Sequence, residues 1–231
     1  MENSLKFAMT MTAFKRPKYL QTALDSLSKN GGLEDYALNF GIEPGNEEVI
    51  GICKSVGFMQ SNAVVNSRKL GVRDNPYELL KRTFDSGVDG VLYLEDDIVI
   101  SADAVGLATW YLHHPRRNEF LCLNLYNHDS RADADPAATF AGSKFSALGF
   151  VITKEQWASH FEPAWKRDSR GWDFSITGLI ASGLHVLQPR ISRSHHIGRE
   201  GGTHYLANRD DVMYVANPMW NGPPQEFKIE E

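Results

Sequence analysis

Cysteine is scarce in this 231-residue chain. There are two, Cys53 and Cys122, and both sit in apolar runs (VIGICKS and FLCLNLY). They make neither a disulfide framework nor a ligand set and read as small core residues, which fits a reducing, cytoplasmic location. No run approaches the ~20 apolar residues of a membrane span. The N-terminal stretch MENSLKFAMTMTAF carries an acid at Glu2 and lacks the long apolar centre of a secretory signal. Repeats, heptads and low-complexity blocks are missing. Glycine, at 19, and proline, at 10, are too few for a fibrous chain. Charge of one sign is not in great excess: 24 Lys and Arg against 29 Asp and Glu leave −5. That balance argues against a protein that coats nucleic acid but leaves room for a local basic groove. With 42% hydrophobic and 23% charged residues, disorder is excluded.

What is present is alternation. Apolar strand-like runs at 5–13, 36–42, 62–65 and 91–94 alternate with helical patterns. The first helix starts at Pro17 and places Leu20, Ala23, Leu24 and Leu27 on one face; others are expected at 47–56 and from Asn75-Pro76 to Gly87. A helix at 102–113 and strands at 120–125, 147–152 and 185–191 follow, with helices at 154–160 and 173–182 between the last two. This predicts one α/β domain over 1–231 with a mostly parallel sheet flanked by helices. Residues 1–125 form a nucleotide-binding half, 126–205 a less regular acceptor-binding and catalytic half, and 206–231 a C-terminal arm that packs irregularly or frays.

Ligands of open α/β sheets bind at the carboxyl ends of strands. The strongest strand, Val91-Leu92-Tyr93-Leu94, runs straight into Glu95-Asp96-Asp97. Three adjacent carboxylates repel one another unless a cation compensates. Their hard oxygens suit Mg²⁺ or Mn²⁺, ions that keep waters and bridge to phosphates. An isolated acid pair would read as a solvated helix cap; the apolar strand in front of it favours the cation site.

The segment 76–112, with YELLKRTF and VLYLEDDIVISADAV, resembles the nucleotide-binding core of GT-A glycosyltransferases. The likeness is to the inverting N-acetylglucosaminyltransferase I and protein O-mannose N-acetylglucosaminyltransferase family, in which EDD is the form of the DXD motif. Phe14-Lys15-Arg16-Pro17, Gly171-Trp172-Asp173 and the late run from Ile191 to Gly198, ISRSHHIG, resemble further family segments, in family order. The resemblance implies a GT-A-like, metal-dependent, inverting transferase acting on a nucleotide-sugar, expected to be a UDP-sugar. Asp97 would bind Mn²⁺ or Mg²⁺ and is expected to face solvent. Glu95 or Asp96 would meet the ribose or the metal's waters.

Arg16 and Glu43 follow the first two strands at the same sheet edge. Arg16 faces the donor's phosphates or base, or is a solvated loop charge. Glu43 accepts from a uracil or ribose group, or is a turn acid. Arg68 and Arg73 are weaker candidates of the same kind. Asp173 is the expected general base, with helix capping as the competing use; Asp168 is the reserve. Trp172 is the candidate for stacking on an acceptor sugar. From His185 to Arg209 the chain is cationic and carries Gly198, Gly201 and Gly202. Such a loop could grip a diphosphate through Arg193 and His195, with His195 or His196 as a metal ligand. The acceptor is a hydroxyl on a glycan, a small molecule or a hydroxymethylated DNA base. A sugar nucleotidyltransferase would want a Gly-rich loop after the first strand, where Ala13-Phe14-Lys15-Arg16 stands. A non-catalytic carbohydrate- or nucleotide-binding module using the acids for Ca²⁺ remains a third class.

Overall fold

A computed structural model describes residues 5–166, 171–199 and 217–230. Among the described residues, nine strands make one sheet in the order β11-β7-β9-β6-β8-β4-β1-β2-β3. The strands are β1 (Phe7–Ala13), β2 (Tyr36–Ile42), β3 (Ser61–Val65), β4 (Gly90–Glu95), β6 (Leu123–Asn124), β7 (Ala138–Gly142), β8 (Phe150–Thr153), β9 (Val186–Pro189) and β11 (Lys228–Ile229). A separate antiparallel ribbon pairs β5 (Ile98–Ile100) with β10 (Ser194–His196). The first four strands of the sheet are mutually parallel, and β8 closes against β4 in the opposite sense. The expected mostly parallel α/β sheet is therefore present.

The central parallel strands β1 and β4 are buried on both faces, so they read as apolar runs with little alternation. Along β4, Leu92 and Leu94 enter one core with Leu20 and Leu24 of α1 (Pro17–Leu27), Val49 of α2 (Glu47–Lys54) and Val105 of α4 (Ala104–His113). Val91 and Tyr93 enter the other, with Leu80 and Phe84 of α3 (Gly71–Asp85) and Trp172 and Ile176 of α7 (Trp172–Ala181). The period of two along one strand thus builds a three-layer sandwich.

Three expectations need correction. Helix α3 opens at Gly71, not at Asn75, and carries Pro76 in its interior. Its start is set from far away: both Glu43 carboxylate oxygens accept the backbone amides of Leu70 and Gly71, at 2.8 and 2.7 Å. The helix expected at 154–160 is instead α5 (Lys154–Gln156), a π turn (Trp157–Phe161) and α6 (Glu162–Ala164). The strand expected at 120–125 shrinks to β6. Residues 217–230 of the arm pack rather than fray. Met219 bridges to Ser192, and β11 pairs with β7.

That arm covers Arg193, whose guanidinium lies 5.5 Å from the rings of both Trp220 and Phe227. Arg193 is fully buried. Its Nε donates to the two oxygens of Asp103 at 2.9 and 3.1 Å, Nη1 to the Ile191 carbonyl at 2.6 Å, and Nη2 to the Pro136 carbonyl at 2.5 Å. One side chain therefore ties the segment before β10 to the residue preceding α4 and to the arm. Removing one partner of such a pair strands a buried charge, which costs about 3–5 kcal/mol. Arg193→Ala should show that loss in a urea melt. Arg193→Met with Asp103→Leu should recover most of it, because neither charge is then left alone. A single variant within about 1 kcal/mol of wild type would contradict the assignment.

Candidate active site

The acidic strand end lies where β1, β2 and β4 present their carboxyl ends. Thr12 sits in register with Glu95 and Ala13 with Ile42, and the Glu43 amide donates to the Ala13 carbonyl at 2.9 Å. The cleft there is lined by Ala13, Phe14, Arg16, Glu43, Glu95 and Asp96, with Lys15, Lys69 and Asn75 around them. The expectation that Arg16 and Glu43 share one sheet edge is met.

Asp96 and Asp97 are nearly completely buried, at 4% and 2% exposure. Asp97 was expected to face solvent; its neighbours cover it instead. Asp96 accepts from the Phe14 amide at 3.1 Å and from Arg16 Nη2 at 2.5 Å. Asp97 Oδ2 lies 2.7 Å from Arg16 Nη1 and 2.8 Å from His196 Nε2. Its Oδ1 is buried and has no hydrogen-bond donor among the described residues. Burial would raise the Asp97 pKa, but the His196 contact and the Arg16 charge outweigh it and hold the group below its ordinary value. Asp96 lies above its ordinary value, because burial outweighs Arg16 there. Glu95 is pushed up to about 8, first by burial and then by the Asp97 charge, while Tyr93 donates to its Oε1 at 3.0 Å.

The ribbon of β5 and β10 brings His196 in. His196 lies opposite Ile98, and the Ile197 amide donates to the Asp97 carbonyl at 2.9 Å. Successive strand residues face opposite sides, so one histidine of the pair reaches Asp97, and it is His196 rather than His195. Gly198 closes the same corner: a Cβ there would stand 2.1 Å from Asp97 Oδ2. Among the described residues no three His, Cys, Asp or Glu side chains converge as a metal cage. Asp97, with one buried carboxylate oxygen that lacks a donor among the described residues, and His196 beside it still fit Mg²⁺ or Mn²⁺. Such ions take one or two protein ligands and fill the rest with water and phosphate oxygens.

Other candidates are placed differently. Arg193 is committed to Asp103 and cannot grip a diphosphate, since it is buried and its guanidinium donates into the protein. Arg190 pairs with Glu230 over the Phe140 ring. Of the cations from His185 to Arg199, His196 is the one in contact with the acids; Gly201, Gly202, His204 and Arg209 lie outside the described residues, as does Asp168. Arg68 is exposed in a separate hollow with Asn66, Asp74 and Arg82. The lysine after it, Lys69, is the one that reaches the cleft, 4.7 Å from the Phe14 ring. Glu43 lines the cleft while its carboxylate holds the start of α3.

Trp172 is no platform for a sugar. It is 4% exposed and stacked on Trp165 at 4.3 Å, because Trp172 and Ile176 share the inward face of α7. The helix begins at Trp172 with Gly171 as its N-cap residue, so Asp173 is not the cap but a half-buried carboxylate in the first turn. Trp172 meets Tyr93 edge-on at 5.8 Å, which sets this turn beside the Tyr93–Glu95 contact. Phe14, Lys69 and Asn75 are not among the expected site residues. Phe14 stands in the segment Phe14-Lys15-Arg16-Pro17 that carries the resemblance, and Lys69 in the basic run Arg68-Lys69 after the third strand.

No protein-family model matches the chain, and no curated protein sequence matches it. Solved structures do. S. aureus TarS 1-349 in complex with UDP-GlcNAc gives a TM-score of 0.64 at 11% identity, over 87% of this chain and 62% of that one. A mannosyltransferase from Pyrobaculum calidifontis in complex with GDP-Man and Mn²⁺ gives 0.59 at 12% identity, over 81% and 55%. GalNAc-T7 with UDP, GalNAc and Mn²⁺ gives 0.58 at 12% identity, over 91% and 46%. The chain thus spans less than two thirds of these proteins' length. At such identity the likeness is one of fold: the mostly parallel sheet flanked by helices is the GT-A architecture that these structures share.

The raised Glu95 pKa has a consequence for stability. Folded, the group keeps its proton up to about pH 8, whereas an unfolded glutamate loses it near 4.5. The favourable contribution is complete below that lower value and is lost as pH rises through the upper one. The metal-free protein should therefore melt a few degrees lower at pH 8 than at pH 5.5. Glu95→Gln should flatten most of that slope in a calorimetric series, and an unchanged slope would refute the environment described for Glu95.

Proposed function

We propose that this chain is a metal-dependent, inverting glycosyltransferase that moves a sugar from a nucleotide-sugar, a UDP-sugar by our reading, to an acceptor hydroxyl. The observation that carries the proposal is the buried Asp97, touched by His196 and left with one unsatisfied oxygen, at the ligand-binding edge of a GT-A sheet. Solved neighbours of this fold hold UDP-GlcNAc, or GDP-Man with Mn²⁺, which supports the donor class and the cation.

Asp97 and His196 would hold the ion. When bound, the cation supplies positive charge where negative charge builds on the departing diphosphate. By this reading Arg16, whose fork is held by Asp96 and Asp97 in the absence of donor, turns to that diphosphate, and Phe14 with Lys15 and Lys69 near its ring is the aromatic and cationic wall of the donor cleft. Asp173 takes the proton of the acceptor hydroxyl. As it does so, the hydroxyl oxygen bonds to the anomeric carbon on the face opposite the breaking bond to the diphosphate. The acceptor is a hydroxyl on a glycan, a small molecule or a hydroxymethylated DNA base. Asp168 is the reserve base. Among the described residues no helix is long and apolar enough to cross a membrane.

Incubation with UDP-glucose or UDP-GlcNAc and Mn²⁺ should release UDP, and EDTA should stop it. Asp97→Asn should lose the cation requirement's benefit and most of the turnover; turnover unaffected by EDTA would remove the metal from the mechanism. Because Asp173 caps nothing, Asp173→Asn should leave the fold and UDP–Mn²⁺ affinity near wild type. Transfer should fall by about 10²–10⁴-fold, the usual worth of a general base. Wild-type transfer rates in that variant, or a product of retained anomeric configuration, would exclude Asp173 from this role.

A further inference from the structure

The resting acid site already contains a cation, and it is a side chain. Arg16 reaches Asp96 Oδ1 with Nη2 at 2.5 Å and Asp97 Oδ2 with Nη1 at 2.7 Å. The three side chains are 18%, 5% and 3% exposed, so little water screens them. Around Asp97 Oδ2 the space is taken: His196 Nε2 approaches at 2.8 Å, and a Cβ on Gly198 would fall 2.1 Å from that oxygen and 2.7 Å from Arg16 Nη1. The remaining capacity of Asp97 is Oδ1, buried and without a donor among the described residues.

We infer that Arg16 is a coupling residue: it makes divalent-cation binding at Asp97 weak on its own and tight only together with the donor's diphosphate. The inference rests on the metal-dependent reading above and adds to it a named residue and an order of affinities.

The reasoning is electrostatic. Two carboxylates share one guanidinium, so Asp97 is largely compensated before any metal arrives. An ion taken up at Oδ1 then stands close to Nη1, and like charges repel strongly where water is excluded. The ion must either tolerate Arg16 or displace it from Asp97, which leaves a guanidinium half-buried without its second partner. A diphosphate removes both costs. Its oxygens complete the ion's shell, and others receive the Arg16 fork, a geometry to which guanidinium is suited. Each ligand therefore favours the other, and by linkage the factor is the same in both directions. A lysine could not play this part, because a single ammonium cannot hold two carboxylates in a fork.

The test is a titration of Mn²⁺ followed by the paramagnetic resonance signal of the free ion. It is run with wild type, Arg16→Met and Arg16→Lys, each with and without UDP. For wild type, UDP should tighten Mn²⁺ binding by about tenfold or more, within the usual range of coupling between sites. Arg16→Met should bind Mn²⁺ alone several-fold more tightly than wild type, and UDP should then improve it by less than about threefold. If Arg16→Met does not fold, Arg16→Lys decides: it keeps one charge but loses the fork, so Mn²⁺ alone should again bind more tightly than to wild type. Equal Mn²⁺ affinity of wild type with and without UDP overturns the inference and leaves the metal reading standing. So does weaker binding of Mn²⁺ alone in the Arg16 variant that folds. No Mn²⁺ binding by wild type even with UDP overturns both.

Discussion

Two carboxylates buried side by side at the end of β4 must be compensated, and much of the molecule is arranged to do it. Asp96 and Asp97 could not both stay ionised at such low exposure without partners, since burial alone drives each toward its neutral form. Two remote pieces of chain supply those partners. The end of β1 gives the Phe14 amide and the Arg16 guanidinium, and β10 gives His196. For β10 to arrive there, Arg193 must be fixed by Asp103, and for Arg193 to be dry the arm must lay Trp220 and Phe227 over it. The C-terminal arm is thus linked, through one ion pair and one ribbon, to the carboxylate of Asp97 in the middle of the chain.

The parts legible in the sequence are those whose signal is local. Strand β2 falls at Tyr36–Ile42 and helix α1 begins at Pro17, as the apolar pattern and the proline indicate. The strand running into the acids is likewise visible in four consecutive apolar residues. What failed depended on distant partners. The start of α3 is set by Glu43, some 27 residues upstream, and no propensity at Gly71 announces it. Strands β5 and β10 have three residues each, too few for a period, and Ser194-His195-His196 reads as polar loop until Ile98–Ile100 pairs with it.

Arginine is where sequence reasoning was weakest, for a physical reason. Arg16 and Arg193 both sit in polar, strand-flanking segments and look alike in a list of cations. Their uses differ because topology, not composition, decides what surrounds them. Arg193 is enclosed by the arm and donates into carbonyls and one carboxylate, whereas Arg16 keeps one side on the cleft. Trp172 is the converse case. Its spacing to Ile176 already marks the inward face of a helix, and that signal should have outweighed its position beside Asp173.

The same layout explains how an acidic chain can offer a site to a polyanion. The net charge of −5 is a property of the whole surface, but a ligand in the cleft meets Lys15, Arg16 and Lys69 at its wall, while the acids below are buried and compensated. Charge is therefore layered by depth, cations outward and carboxylates inward. On the proposed reading, a diphosphate approaching this cleft would be attracted by the outer layer, and the inner acids would repel it only if left without a cation. On the same reading, that layering, rather than the count of charged residues, is what would let the cleft receive a nucleotide and an ion together.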